Sequence, residues 1–488
     1  MFNEQLLELE KQLDIPIDLI KMLIGIIVAF PLGILNHGIN NKTLRLLYAI
    51  IPGMWLQFFV YDFDMWHILF TTLYTHFFIT VLGRKLSPFY LLLANLSHLS
   101  YLHLRRMVVD FKWSIEITTC FMMTFCKFSN LAFSYDDGGL KDDSKLKSYH
   151  KEKKVIDAPS IYETFGYVFF YPTSVIGPSF EFSDFKNFIN KEKEYKDIPF
   201  FKAFLAAINE FFNAIILIVI FLIGSRYFEP YWMATDDFGA KGWLYKIFYI
   251  SATMTTYSCK YYIAWKFTEC GTVMSGLGYN PTKAIVTSED KSTKTEVTIH
   301  NFDKIFSIKI YAIEVLPNPK DKIRNWNYSV HMWLKFNVFF RLIQTGNETL
   351  IKYASILTFM TSAIWHGFFL NYYITFTLYF LYEQIGLLLE KKYDIFNVLE
   401  AKSYILWILF GAVLKFFAHF AGIIFLLIDY KSVYLFNLNT GFVPLILFFV
   451  IYLVLLVVRG NKHLHHHNHH IHHGHDHNKL ENEKIKTG

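Results

Sequence analysis

Windows of about 20 mostly apolar residues, the length an α-helix needs to cross a bilayer, recur along almost the whole chain. The clearest are 17–35, 44–62, 65–82, 201–224, 403–428 and 441–458. Windows richer in polar residues lie near 88–104, 112–133, 161–178, 243–266 and 350–389. By this criterion the sequence predicts an all-α, polytopic membrane protein with about eleven transmembrane helices. Composition agrees, since 53% of the 488 residues are hydrophobic and 18% charged, more apolar surface than one soluble core uses. The 51 Phe and 31 Tyr suit lipid-facing helices and interfacial aromatic belts, and part of their number is what an A/T-rich coding bias would give.

Three hydrophilic segments break the pattern: 136–155, 280–304 and everything after Arg459. All are rich in lysine or end beside it, so the positive-inside rule assigns them to the cytoplasm. The expected organisation is one transmembrane domain over 1–458 and a disordered, His-rich cytoplasmic tail over 459–488. The tract "HLHHHNHHIHHGHDH" (463–477) holds ten of the twenty histidines and could bind Zn or Ni weakly. The final "KIKTG" resembles a dilysine signal for retrieval to the endoplasmic reticulum. At the other end, "MFNEQLLELEKQLDIPIDL" lacks a basic n-region and a small-residue cleavage site, so the first span is expected to serve as the insertion signal.

Cys120, Cys126, Cys259 and Cys270 form no C-x-x-C pair, which argues against a disulfide framework or a zinc site, and no metal site is expected. A net charge of +6 without a basic, aromatic-interleaved stripe argues against nucleic-acid binding. No internal repeat of the inverted-repeat transporter kind is visible. The sequence is silent on oligomeric state.

An ionisable residue inside a membrane is costly and is by default a functional candidate. His366, Glu210, Glu383, Lys415, His419 and the pair His98 and His103 qualify, although long or aromatic polar side chains also reach interfaces and internal partners. His366 is set apart by "TSAIWHGFFLNYY" (361–373). Trp365 adjoins it, small residues such as Ser362 precede it, and Gly367 leaves the backbone open to close approach. A neutral imidazole in that setting is a candidate general base. In "RNWNYSVHMWLKFNVFFRL" (324–342), Trp326 and Trp333 are seven residues apart on one helix face, with Asn327 beside the first. An amide both donates and accepts hydrogen bonds, so Asn327 could orient a hydroxyl or donate to a developing oxyanion. An interfacial helix anchored by Trp, Lys and Arg accounts for that stretch equally well.

The pair "WNYSVHMWL" at 326–334 and "SAIWHG" at 362–367, with His366 standing 39 positions after Asn327, resembles the membrane-bound O-acyltransferase family, nearest its lysophospholipid acyltransferase branch. Supporting stretches are "KFSNLAFSYDDG" (127–138), "VIGPSFEFSDF" (175–185), "KYYIAWKFTECGTVMSGLGYN" (260–280) and "FSIKIYAIE" (306–314). The resemblance runs from about residue 20 to 458, and the order and spacing of its parts are more specific than any one motif. It implies about eleven helices with re-entrant or interfacial segments around a central chamber, in the endoplasmic reticulum membrane. One departure is clear, because Leu370 and Asn371 stand where relatives often carry Pro-Gly after the histidine.

The implied reaction transfers a fatty acyl group from acyl-CoA, a co-substrate, to the free glycerol hydroxyl of a lysophospholipid, with no permanently bound cofactor. His366 and Asn327 are the implied catalytic residues. Trp326, Trp333, Trp365, Gly367, Ser362, Tyr262, Trp265, Gly177 and Pro178 are the implied substrate-binding or pocket-lining residues. Lys291, Lys294, Lys320, Lys322 and Arg324 are candidate neighbours of the CoA phosphates, or simply solvated positive-inside residues. Competing readings are acyl transfer to a sterol, a diacylglycerol or a protein serine, a transporter with a buried proton relay, and an inactive scaffold.

Overall fold

The computed structural model describes residues 2–13, 15–109, 116–287 and 294–458. The His-rich tail, the dilysine-like end and Lys291 lie outside the described residues. Four helical stretches among them are long and apolar enough to cross a membrane: 17–36 (α1), 42–108, 200–224 and 404–426. A fifth is reached if the bent pair Tyr430–Asn439 and Val443–Val457 counts as one span, so the expected eleven is not reached on length and apolarity. The 42–108 stretch is 67 residues long. As one straight helix it would extend roughly 100 Å, about three times the hydrocarbon thickness. It therefore folds back, breaking at Asp62 (φ 52°) and Gly83 (φ 72°) into α2 (Lys42–Tyr61), α3 (Trp66–Phe77) and α4 (Gly83–Val109). The chain is an all-α, multi-pass membrane protein.

Burial separates central helices from peripheral ones. In α5 (Ile117–Asp137), 17 of 21 residues are buried, so protein rather than lipid surrounds it. In α6 (Phe200–Gly224), 4 of 25 are buried. Three of those four are Ala203, Ala207 and Ala214, and small side chains let α6 lie closely on α7 (Trp243–Ser275). The window 161–178 is not a span, which corrects the sequence reading. Its helix stops at Val168, and the chain continues through a turn at Tyr171–Thr173 into extended backbone with a cis Gly177–Pro178 bond. Irregular backbone is tolerated at membrane depth only where protein satisfies it. Here Lys127 Nζ donates to the carbonyls of Tyr167 (3.3 Å) and Val168 (3.1 Å) and to Thr173 Oγ1 (2.9 Å). Gln57 donates to the Ser174 carbonyl (2.7 Å) and Tyr61 to that of Val175 (2.9 Å).

Within the hydrophilic stretch 280–304 is an antiparallel hairpin, β1 (Asn280–Thr287) paired with β2 (Lys294–Asn301). Beyond it, Glu269 of α7 accepts the backbone N–H groups of Ser307 (2.6 Å) and Ile308 (3.0 Å). The Ser307 carbonyl in turn accepts the N–H of Tyr328 (2.7 Å), the first residue of α8 (Tyr328–Trp333). Three side-chain rungs then fasten this region to α5: Trp333 Nε1 to Ser129 Oγ (2.7 Å), Asn337 to Asn130, and Arg341 to both Asp137 oxygens (2.7 and 2.6 Å). Residues 334–339 form a π-helical turn, a form frequent at functional sites.

The window 350–389 is two helices. Asn347 caps the first, α9 (Glu348–His366), by accepting from Leu350 N (3.1 Å), and Glu348 complements its N-terminal dipole. The helix ends at Gly367, whose φ of 124° no right-handed helix continues. The second helix, α10 (Leu370–Tyr393), packs against α11 (Tyr404–Leu426).

Candidate active site

His366 sits where the core built around α5, which includes Trp365, meets a small cluster of Phe369, Tyr372, Phe376 and Phe425 from the start of α10 and the end of α11. Binding sites in helical bundles are commonly made at such seams. Four aromatic rings surround the imidazole: Trp365 (centroids 4.8 Å), Phe376 (5.0 Å, stacked), Phe425 (5.1 Å, edge-on) and Tyr372 (5.9 Å). Phe425 comes from α11, about 60 residues away in sequence, and only the fold brings it in. Neither imidazole nitrogen has a hydrogen-bond partner among the described residues, and neither is sealed from open space.

The rest of the motif holds the histidine in place. Trp365 Nε1 donates to the Met122 carbonyl of α5 (2.9 Å), and its ring lies 6.2 Å from that of Trp333. His103 of α4 hydrogen-bonds through Nε2 to the Trp365 carbonyl (3.0 Å). Ser362 is buried one turn before His366. A Cβ on Gly367 would come within 3.0 Å of His103 Nδ1, at a φ of 124° that L side chains rarely adopt. Gly367→Ala should therefore cost about 1–3 kcal/mol of folding free energy and displace the ring beside it. A lower melting temperature in detergent with reduced acyl transfer is expected, and a variant indistinguishable from wild type in both would refute the fit.

Asn327 lies at the other end of α8 from Trp333, which places it roughly 9 Å along the helix from the indole that meets Trp365. It adopts a left-handed conformation (φ 45°) and does not cap α8 with its side chain. Its Oδ1 is buried and without a hydrogen-bond partner. Trp326 beside it is clasped by Trp265 (5.3 Å), Tyr261 (5.7 Å) and Tyr262 (5.7 Å) of α7. Tyr262 O–H donates to Glu314 (2.8 Å), which is itself ion-paired with Lys415.

The sequence candidates thus separate into groups. His366, Trp365, Gly367, Ser362 and Trp333 form one continuous assembly, and Trp326, Tyr262 and Trp265 form the wall behind Asn327. Gly177 lies against Met123 of α5, next along the chain from the carbonyl that Trp365 uses, and Pro178 follows it across the cis bond. The histidine pair divides. His103 joins the site, whereas His98 bonds His67 (2.9 Å) and Thr71 (3.2 Å). Glu210 pairs with Lys266 (2.9 Å), and Glu383 is half-buried on α10. Lys415 and His419 line a separate cavity of about 650 Å³ between α6, α7 and α11. Among the basic candidates, Lys322 is a correction: it is 6% exposed and donates to the Ile313 carbonyl (2.5 Å), so it holds backbone rather than a soluble anion. Lys320 is exposed and pairs with Glu390 at 3.5 Å.

Sequence reading missed Tyr372, Phe376, Phe425, Tyr261 and Ser129. The aromatic periodicity of α10 was a signal for the first two, but nothing local marked Phe425. The Leu370-Asn371 departure also finds its explanation. Asn371 Nδ2 donates to the carbonyls of Ile424 (3.2 Å), Phe425 (3.3 Å) and Leu427 (2.9 Å), tying the start of α10 to the end of α11. Asn371→Leu should strip those carbonyls of a donor and cost about 1–3 kcal/mol. Because one belongs to Phe425, thermal stability and turnover are expected to fall together, and loss of neither would show the tie to be dispensable.

A multi-pass α-helical membrane protein with a histidine in an aromatic cage, and an amide held in a left-handed turn beside tryptophans, is the class that this fold and site define. The chain belongs to the MBOAT, membrane-bound O-acyltransferase family, whose family model matches residues 68–428. Among similar proteins, the "Lysophospholipid acyltransferase" of Schizosaccharomyces pombe is 28% identical over 370 residues, 74% of this chain and 69% of that protein. The Saccharomyces cerevisiae protein of the same name is 25% identical over 391 residues, 75% of this chain and 61% of its own length. "Lysophospholipid acyltransferase 6" of Drosophila melanogaster is 26% identical over 392 residues, 75% of this chain and 51% of its own. The chain thus spans about half to two thirds of the length of these relatives.

Proposed function

We propose that this protein is a lysophospholipid O-acyltransferase that uses acyl-CoA as donor. The observation that carries the reading is the state of His366, whose ring nitrogens have no hydrogen-bond partner among the described residues and are not sealed from open space inside an apolar, aromatic site. A base so placed has its lone pair available to a substrate hydroxyl. Family membership and the names of the relatives support the acyl chemistry and the acceptor class.

In the proposed step, the imidazole takes the proton from the glycerol hydroxyl as its oxygen attacks the thioester carbonyl. A new C–O bond forms, the C–S bond breaks, and CoA leaves as a thiol with the proton that the imidazolium returns. Asn327 orients a reactant or donates from its Nδ2 to the carbonyl oxygen as charge develops. The thioester is already an activated donor, so no covalent acyl-enzyme is required. CoA is a polyanion and stays at the cytoplasmic face, where Lys294, Lys320 and Arg324 are candidate phosphate neighbours. Placement in the endoplasmic reticulum, with a cytoplasmic C-terminal tail, belongs to the same reading.

Lipid mass spectrometry of microsomes given mixed lysophospholipids and mixed acyl-CoAs tests this. Diacyl phospholipid should appear with the wild-type protein and be lost with His366→Ala. Acylation of a sterol, a diacylglycerol or a peptide serine, with no lysolipid product, would move the protein to another branch of the family.

A further inference from the structure

We propose that Arg106 is the anion anchor of the acceptor lipid, binding its phosphate so that the free hydroxyl reaches His366. This rests on the lysophospholipid reading above and names the residue that would recognise the charged part of that substrate. Two neighbours on α4 locate Arg106. His103, one turn earlier, bonds the Trp365 carbonyl and lies against Gly367. Met107, the next residue, packs into the cluster of Phe369, Tyr372, Phe376 and Phe425 that walls His366. Arg106 follows His103 by one turn on the same side of α4, and its charge bears on His366, Tyr372 and Tyr261.

An arginine this close to an apolar site needs a partner, and it has part of one. Its Nε is 3.1 Å from Glu116 Oε1, with side-chain exposures of 12% and 13%. The two terminal nitrogens have no hydrogen-bond partner among the described residues and are not sealed from open space. A guanidinium ion-paired at Nε without hydrogen-bond geometry there, and with its terminal donors free, presents the planar fork that matches phosphate oxygens. In a lysophospholipid only a few bonds separate the free hydroxyl from the phosphate, so the anchor must lie near the base, and Arg106 is one helical turn from His103, which lies against the residues flanking His366.

The far end of α4 sets the direction. Arg84 there donates to the carbonyls of Tyr135 (2.5 Å), Val155 (3.1 Å) and Ile156, which flank or border the lysine-rich 136–155 segment. It is about 33 Å from Arg106 along the helix. A CoA polyanion drawn to that basic end and a lipid phosphate held at Arg106 would approach His366 from opposite sides, without competing for one cationic site.

The test is steady-state kinetics in microsomes with lysophospholipids, and with an uncharged monoacylglycerol as the phosphate-free comparison. Arg106→Gln should raise KM for lysophospholipids roughly ten- to a hundred-fold, leave KM for acyl-CoA unchanged and leave the monoacylglycerol reaction unaffected. Arg106→Lys should recover part of the loss. Arg105→Gln makes the same charge change one residue away, at a side chain paired with Asp64, and should change neither KM. Equal changes for donor and acceptor, or no change in the acceptor KM, would overturn the assignment. Should Arg106→Gln fail to accumulate because Glu116 loses its Arg106 neighbour, Arg106→Gln/Glu116→Gln carries the same test with the same overturning result. A wild-type protein that acylates only the uncharged acceptor overturns the lysophospholipid reading, and the anchor with it. Wild-type activity on lysophospholipids that Arg106→Gln does not weaken overturns the anchor alone.

Discussion

His366→Ala should lower acyl transfer by about a hundred- to ten-thousand-fold, the usual contribution of a general base. The imidazole makes no hydrogen bond among the described residues, and what it supplies to stability there is contact with Trp365, Tyr372, Phe376 and Phe425. Removing it leaves a hole but no orphaned polar partner, so the protein should still accumulate and still bind acyl-CoA. His366→Phe fills the hole without a base and separates the two effects. It should restore the melting temperature and none of the rate. Turnover above a few per cent of wild type in either variant would remove His366 from the proton-transfer role.

Replacing Asn327 should cost about a hundred- to a thousand-fold in kcat if its amide donates to the developing oxyanion. Its left-handed backbone complicates a simple alanine test, because at φ 45° alanine is strained where asparagine and glycine are not. Asn327→Gly keeps the turn and removes the amide, whereas Asn327→Ala removes the amide and strains the turn. Both should lose rate, and only the alanine variant should also lose stability. Asn327→Asp keeps shape and backbone preference but loses the Nδ2–H donor, so it should resemble the glycine variant in rate. Near-wild-type turnover in the glycine and aspartate variants would sink the proposed role.

The family signature around Lys127 shows how a sequence match and a physical role can differ in kind. "KFSNLAFSYDDG" read as a branch marker, and four of its polar residues turn out to be scaffold. Lys127 secures the Tyr167–Thr173 turn, while Ser129, Asn130 and Asp137 hold Trp333, Asn337 and Arg341. They matter to the site because they locate α8 and the π-helical turn against α5. The failed span at 161–178 has a related cause. Its apolarity is real, but those residues are buried by neighbouring helices rather than by lipid, and hydropathy along the chain does not distinguish the two environments.

Helical, membrane-spanning architecture was legible in the chain, and so were Asn327 beside Trp326 and His366 beside Trp365 as candidates, because apolar run length and local motif spacing are properties of neighbouring residues; that the helix stops at Gly367 was not. Which histidine of the His98 and His103 pair meets the motif, and that Phe425 closes the cage, were not. Each depends on contacts between helices far apart in sequence, set by packing of their side chains rather than by any local preference. Asn371 stands at the boundary: visible as a departure from Pro-Gly, it acquires a reason only when the last carbonyls of α11 come within reach of its amide.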